Sequence, residues 1–242
     1  MGLSISLPRS SSKVRRSITR KENNELTRRR LVTGTIQLLR RKGVAGATTG
    51  RIAKAAGIKQ SSFYAHFSDR DEVLEMAATE IGAAVLEKMK RQHAKLDPKD
   101  VRGSVRRAFR SMGAAFLSEP ELTRLFLRYR SDDTSPLGRS FRRLLDRARS
   151  ELKESFHLYG LITEPATAQC YAEIIVASTL GVIEAVFDER VRDANAALDV
   201  LGNVTFAALR AQHEKNETDS QPEKQAKPEK KEGSSDGGSD GA

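Results

Sequence analysis

Apolar residues recur at three- and four-residue intervals along most of the chain up to about residue 213, and no stretch of any length alternates with the period of two that a half-buried strand needs. Leu31, Ile36, Leu38 and Leu39 mark one face of a helix reading from about Thr27 to Lys42. Arg40, Arg41 and Lys42 crowd its last turn before Gly43, which suits the negative end of a helix dipole. Thr19 and Glu22 have capping-box spacing, so a start one or two turns earlier stays open. Gly34 in mid-helix costs about 1 kcal/mol relative to alanine, and close packing on the following helices would offset it.

The stretch Thr48 to Phe67, TTGRIAKAAGIKQSSFYAHF, reads as two short helices around a tight turn. Thr49 is the expected N-cap, Ile52, Ala53 and Ala56 share a face, and Gly57 ends the helix in the left-handed conformation, with Ile58 as an apolar plug. The second helix begins near Lys59 or Gln60 and buries Phe63 and Phe67, leaving Gln60, Ser61, Ser62, Ala65 and His66 outward. So slim and polar a face fits the major groove of DNA, although an ordinary αα-hairpin would carry the same spacing. Ser68 to Glu72 then signals another helix start, and Val73, Ala77, Ile81 and Ala84 carry its apolar face to about Arg91.

Beyond Asp97 proline punctuates the pattern. Helices are expected from Asp97-Pro98 to Leu117, from Ser118 and Pro120 to about Arg130, from Ser135-Pro136 to Tyr159, from Pro165 to Phe187, and from Asp193 to His213. The fold class is therefore all-α, with about nine helices: a small N-terminal three-helix unit over 24–70 and a larger helical unit over 71–213. Tyr171 to Phe187 and Ala194 to Leu209 are apolar nearly all round and must be buried on most sides. Ala177, Ser178, Gly181, Ala185, Val200 and Val204 would permit close helix approach, either inside one chain or across a dimer.

Charge changes this picture more than composition does. The chain of 242 residues carries a net +10, yet residues 1–70 hold sixteen Lys or Arg against three acids, so the whole excess lies with the helical pair and its arm. Such confinement is the footprint of nucleic-acid binding. Residues 1–23 read as a disordered basic arm in which Arg9, Lys13, Arg15, Arg16, Arg20 and Lys21 would track phosphates or merely aid solubility. Met1-Gly2 with Ser6 also fits a myristoylation pattern, which with the polybasic run would suit a peripheral membrane anchor. Residues 214–242 are too polar to order themselves. Cys170, in an apolar run, reads as a buried small hydrophobe. No stretch is expected to span a membrane and no secretory signal is read, so a cytoplasmic, nucleoid-associated protein is expected.

The run TTGRIAKAAGIKQSSFYAHFSDRDEVL resembles the N-terminal helix-turn-helix of TetR-family transcriptional regulators, and the match extends upstream to Leu31. The resemblance implies a DNA-binding domain over 24–70 and an effector-binding and dimerisation domain over 71–213. It also implies a homodimeric regulator, most often a repressor, that leaves a palindromic double-stranded DNA operator when a small-molecule effector binds. Carried onto this chain, it gives Thr49, Tyr64 and Arg70 phosphate contacts, Arg70 standing where the family commonly has lysine. Lys59, Gln60, Ser61, Ser62 and His66 would face base edges. Phe109, Phe116, Phe126, Tyr129, Phe141 and Phe156 are candidates for an effector pocket, though aromatics at helical spacing also make plain core. Arg124, Arg128, Arg130, Arg139, Arg142 and Arg143 read as a solvated face, yet their segment and the SSFYAHF close are also similar to TetR-type regulators of fatty-acid genes, implying an acyl-type effector. No catalytic motif is found, His66, His93, His157 and His213 are scattered singly, and neither cofactor nor metal is expected. A non-specific architectural DNA binder relying on the arm is the alternative.

Overall fold

The computed structural model describes residues 19–93, 97 and 99–219. Among the described residues there are nine helices and no strand: α1 Arg20–Gly46, α2 Thr49–Ala56, α3 Gln60–Phe63, α4 Arg70–His93, α5 Val101–Leu117, α6 Pro120–Tyr129, α7 Pro136–Leu158, α8 Pro165–Phe187 and α9 Ala194–Asp219. The basic arm as far as Ile18, Gly2 included, the tail beyond Asp219, and Pro98 lie outside the described residues, as does the side chain of His93.

The capping box sets the start of α1. Thr19 Oγ1 accepts from Glu22 N at 3.2 Å and Glu22 Oε2 accepts from Thr19 N at 2.7 Å, whereas Thr27 lies inside the helix with its hydroxyl donating to Asn23 O. The regular helix breaks at Gly43, whose φ of 61° is left-handed, and one further turn carries the chain to Gly46. Gly34 has the expected compensation: a Cβ there would lie 3.0 Å from Ala55 Cβ, so its absence lets α1 and α2 touch.

Other boundaries differ from expectation for local reasons. Thr48, not Thr49, caps α2, its hydroxyl accepting from Arg51 N. Asp100 caps α5 through Gly103 N at 2.9 Å, so that helix starts later than Asp97. Pro136 and Pro165 do occupy first turns, after Ser135 and Glu164 caps. Helix α9 continues past His213 because Arg210 pairs with Glu214 four residues on, while His213 and Asn216 bond to the Gly160 and Leu161 carbonyls after α7.

Helix α4 joins the two units. Its first turns bury Val73, Leu74, Ala77 and Ala78 in a core with Leu31, Ile52, Phe63 and Phe67, and Leu122, Leu125, Phe126, Leu137 and Phe141 extend that core from α6 and α7. Farther along, Leu86 meets Ala148 of α7. A second core lies among α5, α7, α8 and α9 around Phe109, Phe156, Ile162, Ala172 and Leu198.

Several side chains depart from expectation. Cys170 is exposed rather than buried. It lies on the same face of α8 as Ile174, Ala177 and Gly181, all exposed, whereas Ala185 is buried within the chain. Val200 and Val204 of α9 are exposed too, about 60% of each being accessible (62% and 61%). Contrary to the expectation of no span, α8 is long and apolar enough to cross a membrane by length and composition. The arginine-dense segment is not a merely solvated face, since its charges are used: Arg130 pairs with Glu184, Arg142 with Asp133, Arg139 and Arg143 both with Glu75 of α4, and Arg124 lies over the Phe187 ring.

Candidate functional site

The turn after α2 fixes how α3 is presented. Gly57 adopts φ 70°, its N–H donates to Lys54 O at 3.1 Å, and Ile58 N donates to Ala53 O at 3.0 Å, which together satisfy two carbonyls of the last turn of α2. Ile58 packs on the head core, while Phe63 and Phe67 sink into it with ring centroids 5.8 Å apart. Helix α3 proper is one turn, and His66 N and Phe67 N both donate to Phe63 O, which carries the coil on to Phe67. Lys59, Gln60, Ser61, Ser62 and Tyr64 are thereby left exposed. Thr49 and Gln60 face each other, the amide Nε2 donating to the hydroxyl at 3.4 Å.

Two expected members of this surface are otherwise engaged. The half-buried His66 ring is turned toward α1, Nδ1 being 2.6 Å from Oδ1 of the exposed Asn24. Arg70 directs its guanidinium at the end of α1, Nε donating to Ala47 O at 2.8 Å and Nη2 to Val44 O. The Val44 carbonyl already accepts from Ala47 N at 3.1 Å, so Arg70 adds a second donor there and, with its bond to Ala47 O, ties the end of α1 to the first turn of α4.

Arg28, which sequence reasoning passed over, ties the head together. It donates to His66 O and to Glu72 Oε1, and its guanidinium lies 4.1 Å from the centre of the Phe67 ring. Glu72 also accepts from Ser68 N at 2.7 Å, and Asp69 caps α4 through Glu72 N. The Ser68 N–H holds the Glu72 carboxyl below its ordinary range, with Arg28 adding to this against partial burial. The only signal in the sequence was Arg28 lying one helical turn before the buried Leu31 and Val32.

The second candidate site is inside the body. A cavity of about 140 Å³ is lined by residues of α4, α5, α6, α7, α8 and α9. Of the six aromatic candidates, Phe109, Phe116, Phe126 and Phe156 line this cavity; Phe141 and Tyr129 do not. Its few polar side chains are hydroxyls, Ser155, Tyr159, Thr179 and Thr205, and no charged residue lines it. Among the described residues no group of His, Cys, Asp or Glu has the arrangement of a metal site.

Comparison with known proteins agrees with the head. Residues 31–77 match the family described as bacterial regulatory proteins, tetR family. Over 144 residues the chain is 30% identical to the HTH-type transcriptional regulator BetI of Stenotrophomonas maltophilia, covering 52% of this chain and 72% of that regulator. The chain belongs to the TetR family. Solved structures of the same fold include a protein from Mesorhizobium loti described as a TetR-family transcriptional regulator, with TM-score 0.58 and 18% identity over 80% of this chain and 98% of that one. Another is the fatty acid degradation regulator FadR of Bacillus halodurans, with TM-score 0.58 and 16% identity over 74% of this chain and 94% of that one. As a TetR-family member the chain is a DNA-binding transcriptional regulator, and its relatives are regulators rather than enzymes.

Proposed function

We propose that this TetR-family chain is a homodimeric repressor that reads a near-palindromic operator with α3 and leaves it when an effector enters the body. The division of labour follows residues 24–70 as the reading head and 71–213 as the sensing and pairing body. The observation that carries the reading is the burial of Phe63 and Phe67, which leaves Lys59, Gln60, Ser61 and Ser62 projecting from the most basic module of the chain. These four meet base edges in the major groove, while Thr49 and Tyr64 meet phosphates. Arg70 acts chiefly by holding the α1–α2 junction, and His66 is committed to Asn24.

Dimerisation is supported by the exposed apolar face of Ile174, Ala177 and Gly181 on α8 with Val200 and Val204 on α9, where a Cβ on Gly181 would meet nothing. Two such helix pairs close into a four-helix bundle and bring two heads to two half-sites. The effector enters the apolar cavity; its lining suits an apolar chain, consistent with the acyl-type ligand that the resemblance to regulators of fatty-acid genes implies. The protein works in the cytoplasm, on the nucleoid.

Selection of bound duplexes from a random pool by the full chain tests the reading. The expected outcome is one enriched inverted repeat with half-sites about 34–36 Å apart or a multiple of that. Recovery of unrelated sequences in proportion to their abundance would leave only non-specific binding.

A further inference from the structure

Val85, Phe116, Phe126 and Leu144 line both the apolar cavity and a second, adjoining space of about 360 Å³, a cleft between head and body. To this cleft α1 contributes Ile36 and Arg40, α4 contributes Glu80 and Lys88, and the segment entering α6 contributes Glu119 and Thr123. Arg40 and Glu119 pair across it at 2.8 Å, and the Thr123 hydroxyl donates to Phe116 O. Lys88 is half-buried on the cleft wall and, among the described residues, has no ion-pair partner, while Glu80 stands exposed to water. The inner chamber alone matches the roughly 150 Å³ that holds a benzene-sized guest. Joined to the cleft, it falls within the ~300–1,000 Å³ of ordinary small-molecule sites.

We propose that chamber and cleft together form one site for an amphipathic anion, with its apolar chain among the phenylalanines and its anionic end beside Lys88 and Arg40. This rests on the reading of the body as the effector domain and adds where the polar end is held. The chamber offers no charge to an anion or a cation, so the charged end must stay in the cleft. There the carboxylate of Glu119 is already committed to Arg40, and the uncommitted half-buried charge is positive. The consequence is regulatory: Arg40 belongs to α1, so an anion that competes with Glu119 breaks an ion pair between head and body directly, without a relay through the core.

Calorimetric titration of the full chain with dodecanoate, dodecanol and dodecyltrimethylammonium, each below its micelle concentration, tests this. Dodecanoate is expected to bind at least about tenfold tighter than dodecanol, with the ammonium weakest. Lys88→Met should erase that preference and leave dodecanol unchanged. Arg40→Gln should weaken dodecanoate, and Glu119→Gln, which frees Arg40 and removes no capping bond, should tighten it a few-fold. Ala148→Phe, which fills the chamber, should weaken dodecanoate and dodecanol alike. Circular dichroism and thermal unfolding verify that each variant is folded. Equal binding of all three ligands, preference for the ammonium, no binding, or indifference to Lys88→Met would each overturn the proposal. Dodecanoate binding with the expected variant pattern but no change in operator affinity would uphold the site and refute the effector role; failure of operator selection would refute DNA reading without touching it.

Discussion

Head and body are built from the same kind of helix, yet they treat space differently. Ile52 and Phe63 in the head are completely buried and Phe67 is 1% exposed, whereas Phe109, Leu152, Ile175 and Val176 in the body keep 8 or 9% because they face a cavity. The charges follow the same division. In the head, Arg28 and Arg70 are turned onto backbone carbonyls at the joints between helices, His66 O for Arg28 and Val44 O and Ala47 O for Arg70. In the body, arginines link helix to helix across the outside, as Arg143 and Arg139 do with Glu75. A reading surface must hold side chains to a fixed register on DNA, so it is closed and braced; a sensing body must keep room, so its braces are peripheral.

The strongest way to break this contrast is to put a hole in the head. Phe63→Ala is expected to cost about 3–5 kcal/mol and to abolish operator binding, measured by denaturant unfolding and fluorescence anisotropy. The converse change in the body, Ala148→Leu, adds volume beside an existing cavity and should shift stability by less than about 1.5 kcal/mol in the same unfolding assay. Equal losses from the two would mean the body is as tightly determined as the head. Arg28→Met removes two hydrogen bonds and a ring contact at once and should cost about 2 kcal/mol, with parallel loss of DNA binding on every sequence. Gly57→Ala is expected to cost about 1–2 kcal/mol through the left-handed backbone alone, the added Cβ also lying 2.8 Å from Arg30 Nη2.

Acid gives the smallest effect and sharpens the comparison of charges. The Glu72 carboxyl is lowered by the Ser68 N–H and Arg28, so its stabilisation is complete above the ordinary value of 4.5 and is lost as pH falls through that value toward the lowered one. Glu75 is lowered as well: burial opposes, but hydrogen bonds from Arg143 and Arg139 prevail. Thermal unfolding of the native chain should therefore drop more steeply below about pH 4.5 than that of Glu72→Gln; identical profiles would show that Glu72 carries no part of the acid response.

Much of the head is legible in the sequence because its signals are local. Gly57 after an apolar triad, Phe63 and Phe67 four apart, and the acids after Ser68 each specify their own conformation. The ambiguity at Thr48-Thr49 is of one residue, and two adjacent threonines cannot be told apart by composition. Arg70 escapes a local reading because the carbonyls it satisfies belong to residues 44 and 47, more than twenty positions away. Cys170 escapes it for another reason: an apolar helix face reads as buried, and only packing reveals that this one is left exposed among the described residues. The extra turns of α9 come from Arg210–Glu214 pairing and from docking on the 160–161 carbonyls, neither of which an apolar count detects. Likewise a cavity has no sequence signature, since Phe109 and Phe141 look alike until one is found to line the space and the other to pack in the core that α4 shares with α6 and α7.

The central claim is that α3 reads bases while the rest of the head holds it in place. Affinities of the native chain and of Gln60→Ala for a panel of duplexes, each altering one symmetric base-pair position of the selected operator, test it most directly. A change of about 1–3 kcal/mol in preference at one position, with the others keeping their order, is the predicted result. Equal weakening on every duplex would contradict it.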